Sequence, residues 1–337
     1  MPISFRRYAW FTLFYTVAVI VWGAYVRATG AGAGCGSHWP LCNGVILPID
    51  PGIKTIIEFS HRLSSGLNMI LVCGLGAWAW RLWPAGHRVR KAAVISVGLI
   101  FLEAIIGAGL VLLALVEHDQ SVRRAISISM HLTNTLFLIA ALTLTAYWAS
   151  RMALGREANL EAADAGPLSV PVPRKIDREF RRRAYPMIAA FFILAMMGAL
   201  TALGDTLFPA VDLSGGMAQD LSLTAHFLIR LRIFHPVMAL IVGMALVPWS
   251  EKYQEAVDFA GPGRLGSAAP DLTTVRAPDC ARPYGRWLKI LFFANWAVGL
   301  SNIALLAPVS LQLFHLGMAN LIWISLVLFL AQYLELT

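Results

Sequence analysis

Residues 57–82 read IEFSHRLSSGLNMILVCGLGAWAWRL. A helix needs about 17 to 25 apolar residues to cross the hydrocarbon of a bilayer, and this stretch is of that length. Buried helices of soluble proteins are usually shorter. Glu58, His61 and Arg62 lie near one end of the run. Working outward, the same hydropathy criterion predicts seven further spans at 8–28, 92–116, 126–149, 185–205, 226–249, 286–306 and 309–334. The fold class is therefore an all-α membrane protein with eight transmembrane helices. Composition agrees: 58% of the 337 residues are hydrophobic and 14% charged, with a mean hydropathy of +0.66, values that a water-soluble domain does not normally show.

The net charge of +8 does not point to nucleic acid, because Lys and Arg lie between the apolar runs and not along one amphipathic face. Topology accounts for them. The N-terminal tail and the loops near 81–91, 150–184 and 250–289 hold 20 Lys and Arg against 7 on the opposite side. The positive-inside rule then puts both termini in the cytoplasm, and the expected location is a cell membrane, the inner membrane if the source is a bacterium. The run from Tyr8 to Val26 follows Arg6 and Arg7 as in a secretory signal, but it is too long for an ordinary signal core and is expected to persist as a helix.

The segment 151–184, with Pro167, Pro171, Pro173 and the cluster Arg181, Arg182, Arg183, has the composition of a solvated linker. It divides the chain into a half at 1–150 and a half at 185–337. The halves look alike. Glu58, His61 and Arg62 in the second run correspond to Arg232, His235 and Pro236 in the sixth, His131-Leu132 in the fourth to His315-Leu316 in the eighth, and Gly23-Ala24-Tyr25 to Gly198-Ala199-Leu200. Two pseudo-repeated four-helix bundles are expected. Gly107, Ala108 and Gly109 would let neighbouring backbones approach closely.

His61, His131, His235 and His315 fall at similar depth, one to three turns inside the outer edge, two per half. Neutral imidazoles facing each other across a bundle suit iron in a porphyrin. The competing reading of any one of them is an isolated membrane histidine bonded to a neighbour or lining a water-filled cavity. Glu58 shares a helix face with His61 one turn away and is placed for proton work, unless it pairs with Arg62 or Lys54. Its counterpart is Arg232, so one half has an acid that the other lacks.

Arg27, Arg62, Arg230 and Arg232 lie on the side where positive charge is scarce, as partners for haem propionates or as snorkelling interfacial residues. Cys35 and Cys42 share a polar loop on the outer, oxidising side, which invites a disulfide that either closes the loop or exchanges with an external thiol partner. Cys73 and Cys280 stand apart, and His38, His87, His118 and His226 read as solvated. No C-x-x-C-H sequence occurs, so haem would be held noncovalently.

At these residues the sequence resembles the haem A synthase family over almost its whole length. The matching stretches are Gly23 to Gly30 (GAYVRATG) with the cysteine loop, Glu58 to Arg62 (EFSHR), Met130 to Leu132 (MHL), Gly198 to Pro209 (GALTALGDTLFP), His226 to Pro236 (HFLIRLRIFHP) and Leu305 to His315 (LLAPVSLQLFH).

The resemblance implies an eight-helix oxidoreductase acting on a CH group, which oxidises the C8 methyl of its substrate haem o to a formyl by two successive hydroxylations, giving haem a for terminal oxidases. By motif, His61 and His131 would flank the substrate haem, His235 and His315 would ligate a haem b cofactor, Glu58 would be the required acid, and Cys35 and Cys42 would match a cysteine pair found in part of the family. His38 stands where many members carry an acidic residue. Haem o synthase and an external thiol-disulfide or electron-transfer partner are the implied associates. Two other readings share the four histidines: a bis-histidine cytochrome b that only transfers electrons, and a non-enzymatic haem carrier or assembly protein.

Overall fold

A computed structural model describes residues 3–161, 174–259 and 283–336. They form α1 (Ile3–Ala28), α2 (Ile53–Leu82), α3 (Arg88–Leu112), α4 (Val122–Glu161), α5 (Arg174–Leu207), α6 (Leu213–Leu221), α7 (Phe227–Leu231), α8 (Phe234–Phe259), α9 (Tyr284–Ala304) and α10 (Val309–Leu336). Eight stretches are long and apolar enough to cross a membrane, one of them made of α7 and α8 together. The described residues contain no strand, only an isolated bridge between Cys42 and Val45. Aliphatic side chains such as Ile70 and Ile105, each 66% exposed, point outward. Such a surface is stable only where lipid is the solvent, and the protein is a multi-pass membrane protein.

Helices α1 to α4 close a ring in which α1 and α3 each pack against α2 and α4. A second ring runs from α5 through α8 and α9 to α10, and α10 returns to α5. The rings meet where α4 and α1 pack against α5 and α10. Trp323 of α10 donates its indole N–H to the carbonyl of Leu136 at 2.8 Å and stacks on Phe191 of α5, with ring centroids 5.0 Å apart. A buried indole with its donor satisfied contributes both area and orientation.

Three features differ from the sequence expectation. The expected single helix over 226–249 breaks at Arg232 and Ile233. Pro236 explains the break: it has no N–H to offer the carbonyl four residues back, which belongs to Arg232, and its ring collides with that carbonyl. Helix α8 therefore restarts at Phe234, with His235 in its first turn. A short helix, α6, was not anticipated; the Asp212 side chain starts it by accepting the Gly215 N–H at 2.7 Å. Finally, residues 162–173 of the expected linker, its three prolines among them, lie outside the described residues. On either side α4 continues to Glu161 and α5 begins at Arg174, so the linker's ends are helical. Cys280 also lies outside the described residues.

Candidate functional site

Each of the four histidines is half-buried and faces a glycine on a neighbouring helix. A Cβ added at Gly23 would lie 2.9 Å from Cε1 of His61, one at Gly198 2.9 Å from Cε1 of His235, one at Gly299 3.2 Å from Cε1 of His315 and one at Gly107 3.9 Å from Cε1 of His131. These glycines leave the space that the imidazoles occupy. His61 on α2 and His131 on α4 belong to helices that both pack against α1 and α3. The rings of His235 and His315 stand 6.1 Å apart between centroids, at 89° to each other.

Two metal–imidazole bonds of about 2 Å in line, with half a ring at each end, span roughly 6 Å. The His235 and His315 separation fits an iron between them. In all four rings Nδ1 is buried without a hydrogen-bond partner. No group of three or more His, Cys, Asp or Glu among the described residues could hold a bare metal ion. A porphyrin brings four nitrogens of its own, so a pair of imidazoles is the donor set it requires.

Glu58 is 3% exposed. Its Oε1 accepts from Arg62 at 2.5 Å through Nη2 and 3.1 Å through Nε, and its Oε2 accepts the backbone N–H of Cys35 at 2.7 Å. Arg62 also donates to the carbonyls of His38 and Leu41, both at 2.7 Å. The pairing that the sequence left open is thus the one adopted. Glu58 and Arg62 together tie the cysteine loop to the outer end of α2. Lys54 pairs instead with Glu117, at 2.8 Å.

Cys35 and Cys42 form a disulfide, and both are fully buried. Asn43 and Gly44, both at positive φ, turn the chain between the two hydrogen bonds that join Cys42 and Val45, as the central residues of a tight hairpin turn do. Thr55 in the first turn of α2 donates to the Gly34 carbonyl at 2.7 Å. By chain entropy, closing a loop of eight residues is worth about 2–3 kcal/mol. Cys35→Ser with Cys42→Ser should therefore open the loop while leaving α1 and α2 in place. Limited proteolysis across 36–50 checks this, and cleavage as slow as in the parent protein would refute it.

The arginines read as propionate partners are mostly engaged by the protein itself. Arg27 of α1 reaches the second ring, donating to the Ala202 carbonyl at 2.6 Å, Thr206 at 2.7 Å and Gln312 at 3.3 Å. Arg232, 8% exposed, sits between Asp205 at 3.1 Å and Asp220 of α6 at 2.9 Å. Burial pushes the Asp220 carboxyl up even with Arg232 beside it. Arg230 is exposed, with no ion pair among the described residues. Arg232→Ala leaves two partly buried carboxylates, their side chains 22% and 25% exposed, without their shared cation, a loss of about 1–3 kcal/mol. Amide exchange over 213–221 should accelerate accordingly; unchanged protection would mean that α6 is held by other contacts.

His87 and His226, expected to be solvated, instead cap helices, accepting the N–H of Val89 at 3.3 Å and of Leu228 at 3.4 Å. His38 and His118 are exposed. Two groups escaped the sequence reading. Arg124 is buried and donates to the carbonyls of Glu117 and Asp119 at 2.8 and 2.7 Å. Glu103 of α3 accepts from Asn134 and Thr135, both at 2.5 Å, and its Oε1 lies 3.4 Å from Nδ1 of His131. A carboxylate inside an apolar run was the available signal, since such a residue is costly there and is kept for a partner.

Fold and site together define a multi-pass helical membrane protein with two pairs of histidines set among eight spans. Residues 6–256 match the family described as cytochrome oxidase assembly protein (COX15-CtaA), and the chain belongs to that family. It is 38% identical over 328 residues to a Thermus thermophilus protein named protoheme IX farnesyltransferase, a match covering 97% of this chain and 48% of that one. It is also similar to proteins named heme A synthase. The match to the Shouchella clausii protein is 42% identical over 106 residues, 32% of this chain and 35% of that protein, and the match to the Halalkalibacterium halodurans protein is 40% identical over 108 residues, 32% and 36%. The chain thus spans about half the length of the Thermus relative, and the matches to these heme A synthases cover about a third of each protein.

Proposed function

We propose that the protein is a haem A synthase, an oxidoreductase that converts a methyl group of haem o to a formyl group. The observation that carries this reading is the pair of half-buried imidazoles, His235 and His315, 6.1 Å apart, with glycine-cleared rings. The relatives named heme A synthase support it. The Thermus relative, named for farnesyl transfer to protohaem, supports a farnesylated haem as substrate and the enzyme that makes it as a partner.

In this reading the two rings of helices are pseudo-repeats, 1–150 and 185–337, with both termini in the cytoplasm and the sites at the outer edge of a bacterial inner membrane. His61 and His131 hold the substrate haem. His235 and His315 hold a haem b, which when bound supplies an electron path toward an outside acceptor. Glu58 takes the proton released at the methyl carbon, and Arg62 with the Cys35 amide fixes its carboxylate. With the electrons leaving to that acceptor, water supplies the oxygen: each of two hydroxylations of one carbon releases two electrons and two protons, and the resulting gem-diol loses water to the aldehyde. Exposed Arg230 is free to meet a propionate. The test is extraction of pigments after expression with a haem o source. Haem a in the extract is expected; haem o and haem b alone would refute the assignment.

A further inference from the structure

Of the four histidines, His131 is the one with a carboxylate against its buried Nδ1 among the described residues: Glu103 Oε1 lies 3.4 Å away without completing a hydrogen bond. The carboxylate is firmly placed. Its Oε1 lies 2.5 Å from the Thr135 hydroxyl, whose one proton is shared with the His131 carbonyl at 2.9 Å, and its Oε2 takes the Asn134 amide, also at 2.5 Å. Asn134 is itself anchored, donating to the Leu99 carbonyl at 3.0 Å. Both partners are at least 95% buried. Gly107 lies one turn along α3 from Glu103 and leaves room for the His131 ring. Helix α3 thus presents to His131 a space and, beside it, an anchored negative charge.

We propose that Glu103 is a positioning residue that accepts Nδ1–H of His131 and so sets the ligand strength of that imidazole toward the substrate haem. This rests on reading His131 as a haem ligand. A ligating histidine that donates its second nitrogen to a carboxylate is fixed in one tautomer and one orientation and becomes a stronger donor. A stronger donor stabilises the oxidised iron and lowers its reduction potential. The described residues give His235 and His315 no such carboxylate, so the two histidine pairs would hold iron at different potentials.

The experiment is a potentiometric titration of the purified full chain in detergent, loaded with protohaem. The component lost in His131→Ala is the one followed. In Glu103→Gln the amide can still accept from Asn134 while the charge is gone, and the potential of that component should rise. In Thr135→Val, Oε1 loses its competing donor and attracts the imidazole N–H more strongly, so the potential should fall. A structural role alone does not predict opposite signs.

The component that depends on His235 and His315 should not move in either variant. If haem is retained and neither variant shifts the potential, the proposal is overturned and the haem reading survives. If no component depends on His131, both are overturned. Should Glu103→Gln fail to accumulate, Thr135→Val decides alone: a fall supports the proposal and an unchanged value overturns it.

Discussion

On the proposed haem ligation, Gly198→Ala and Gly23→Ala should each lose most of the haem at the adjacent histidine, whereas Gly107→Ala should retain all of it. The added methyl would lie 2.9 Å from the ring carbon of His235 or of His61, and 3.9 Å from that of His131. The first distance requires displacement, and the second is ordinary van der Waals contact. A ligating imidazole between a helix and an iron has little room to move. Overpacking of this kind costs about 1–3 kcal/mol, equivalent to roughly 5- to 150-fold in affinity.

Gly299→Ala, at 3.2 Å from His315, should fall between the two extremes. Helix propensity works in the opposite direction, because Ala stabilises a helix over Gly by about 1 kcal/mol. A loss of haem with no loss of helix stability therefore isolates the contact. Haem per mole of purified protein, measured beside the thermal midpoint, reads both effects. Equal losses at all four glycines, or none at Gly198, would show that the glycines do not make room for a ligand.

The spans were legible because hydrocarbon imposes a length on any helix that crosses it. That His61, His131, His235 and His315 lie within spans could be read in the same way. Partnership could not be read. Arg27 and Arg232 were recognised as scarce outer charges, but a count of charges cannot show that Arg27 crosses to Ala202 and Thr206 or that Arg232 bridges Asp205 and Asp220. These contacts join residues far apart in sequence, fixed only when the rings pack.

The sequence alone pairs Gly23 with Gly198 by position and marks Gly107 as a small residue. That each glycine faces an imidazole is a property of two helices at once. The break at Arg232 was available from Pro236, four residues on, but the continuous apolar run concealed it. Glu103 stood in plain view in α3, and its meaning came from Asn134, Thr135 and His131 on the adjacent helix.

The contacts of Glu58 decide which substitution tests it as an acid. Glu58→Ala would remove the acceptor of the Cys35 amide and the counter-ion of Arg62, whose side chain is 13% exposed. Stranding a partner in that setting costs about 3–5 kcal/mol, so this variant should loosen the cysteine loop and lose product for two reasons at once. Glu58→Gln separates them. Its amide oxygen can still accept the Cys35 N–H, and Arg62, though it loses its counter-ion, still donates to the His38 and Leu41 carbonyls. The loop therefore stays docked more firmly than in Glu58→Ala and the haem stays bound, but a neutral amide cannot take a proton.

If Glu58 carries the proton, Glu58→Gln should contain its full complement of haem, resist proteolysis across 36–50 nearly as well as the parent protein and yield no formyl haem on extraction. Glu58→Ala should be cleaved in the loop and yield none either. Normal formyl haem from Glu58→Gln would assign the residue to the fold: its part would then be to hold Arg62 and the Cys35 amide in place, with the proton leaving by another route.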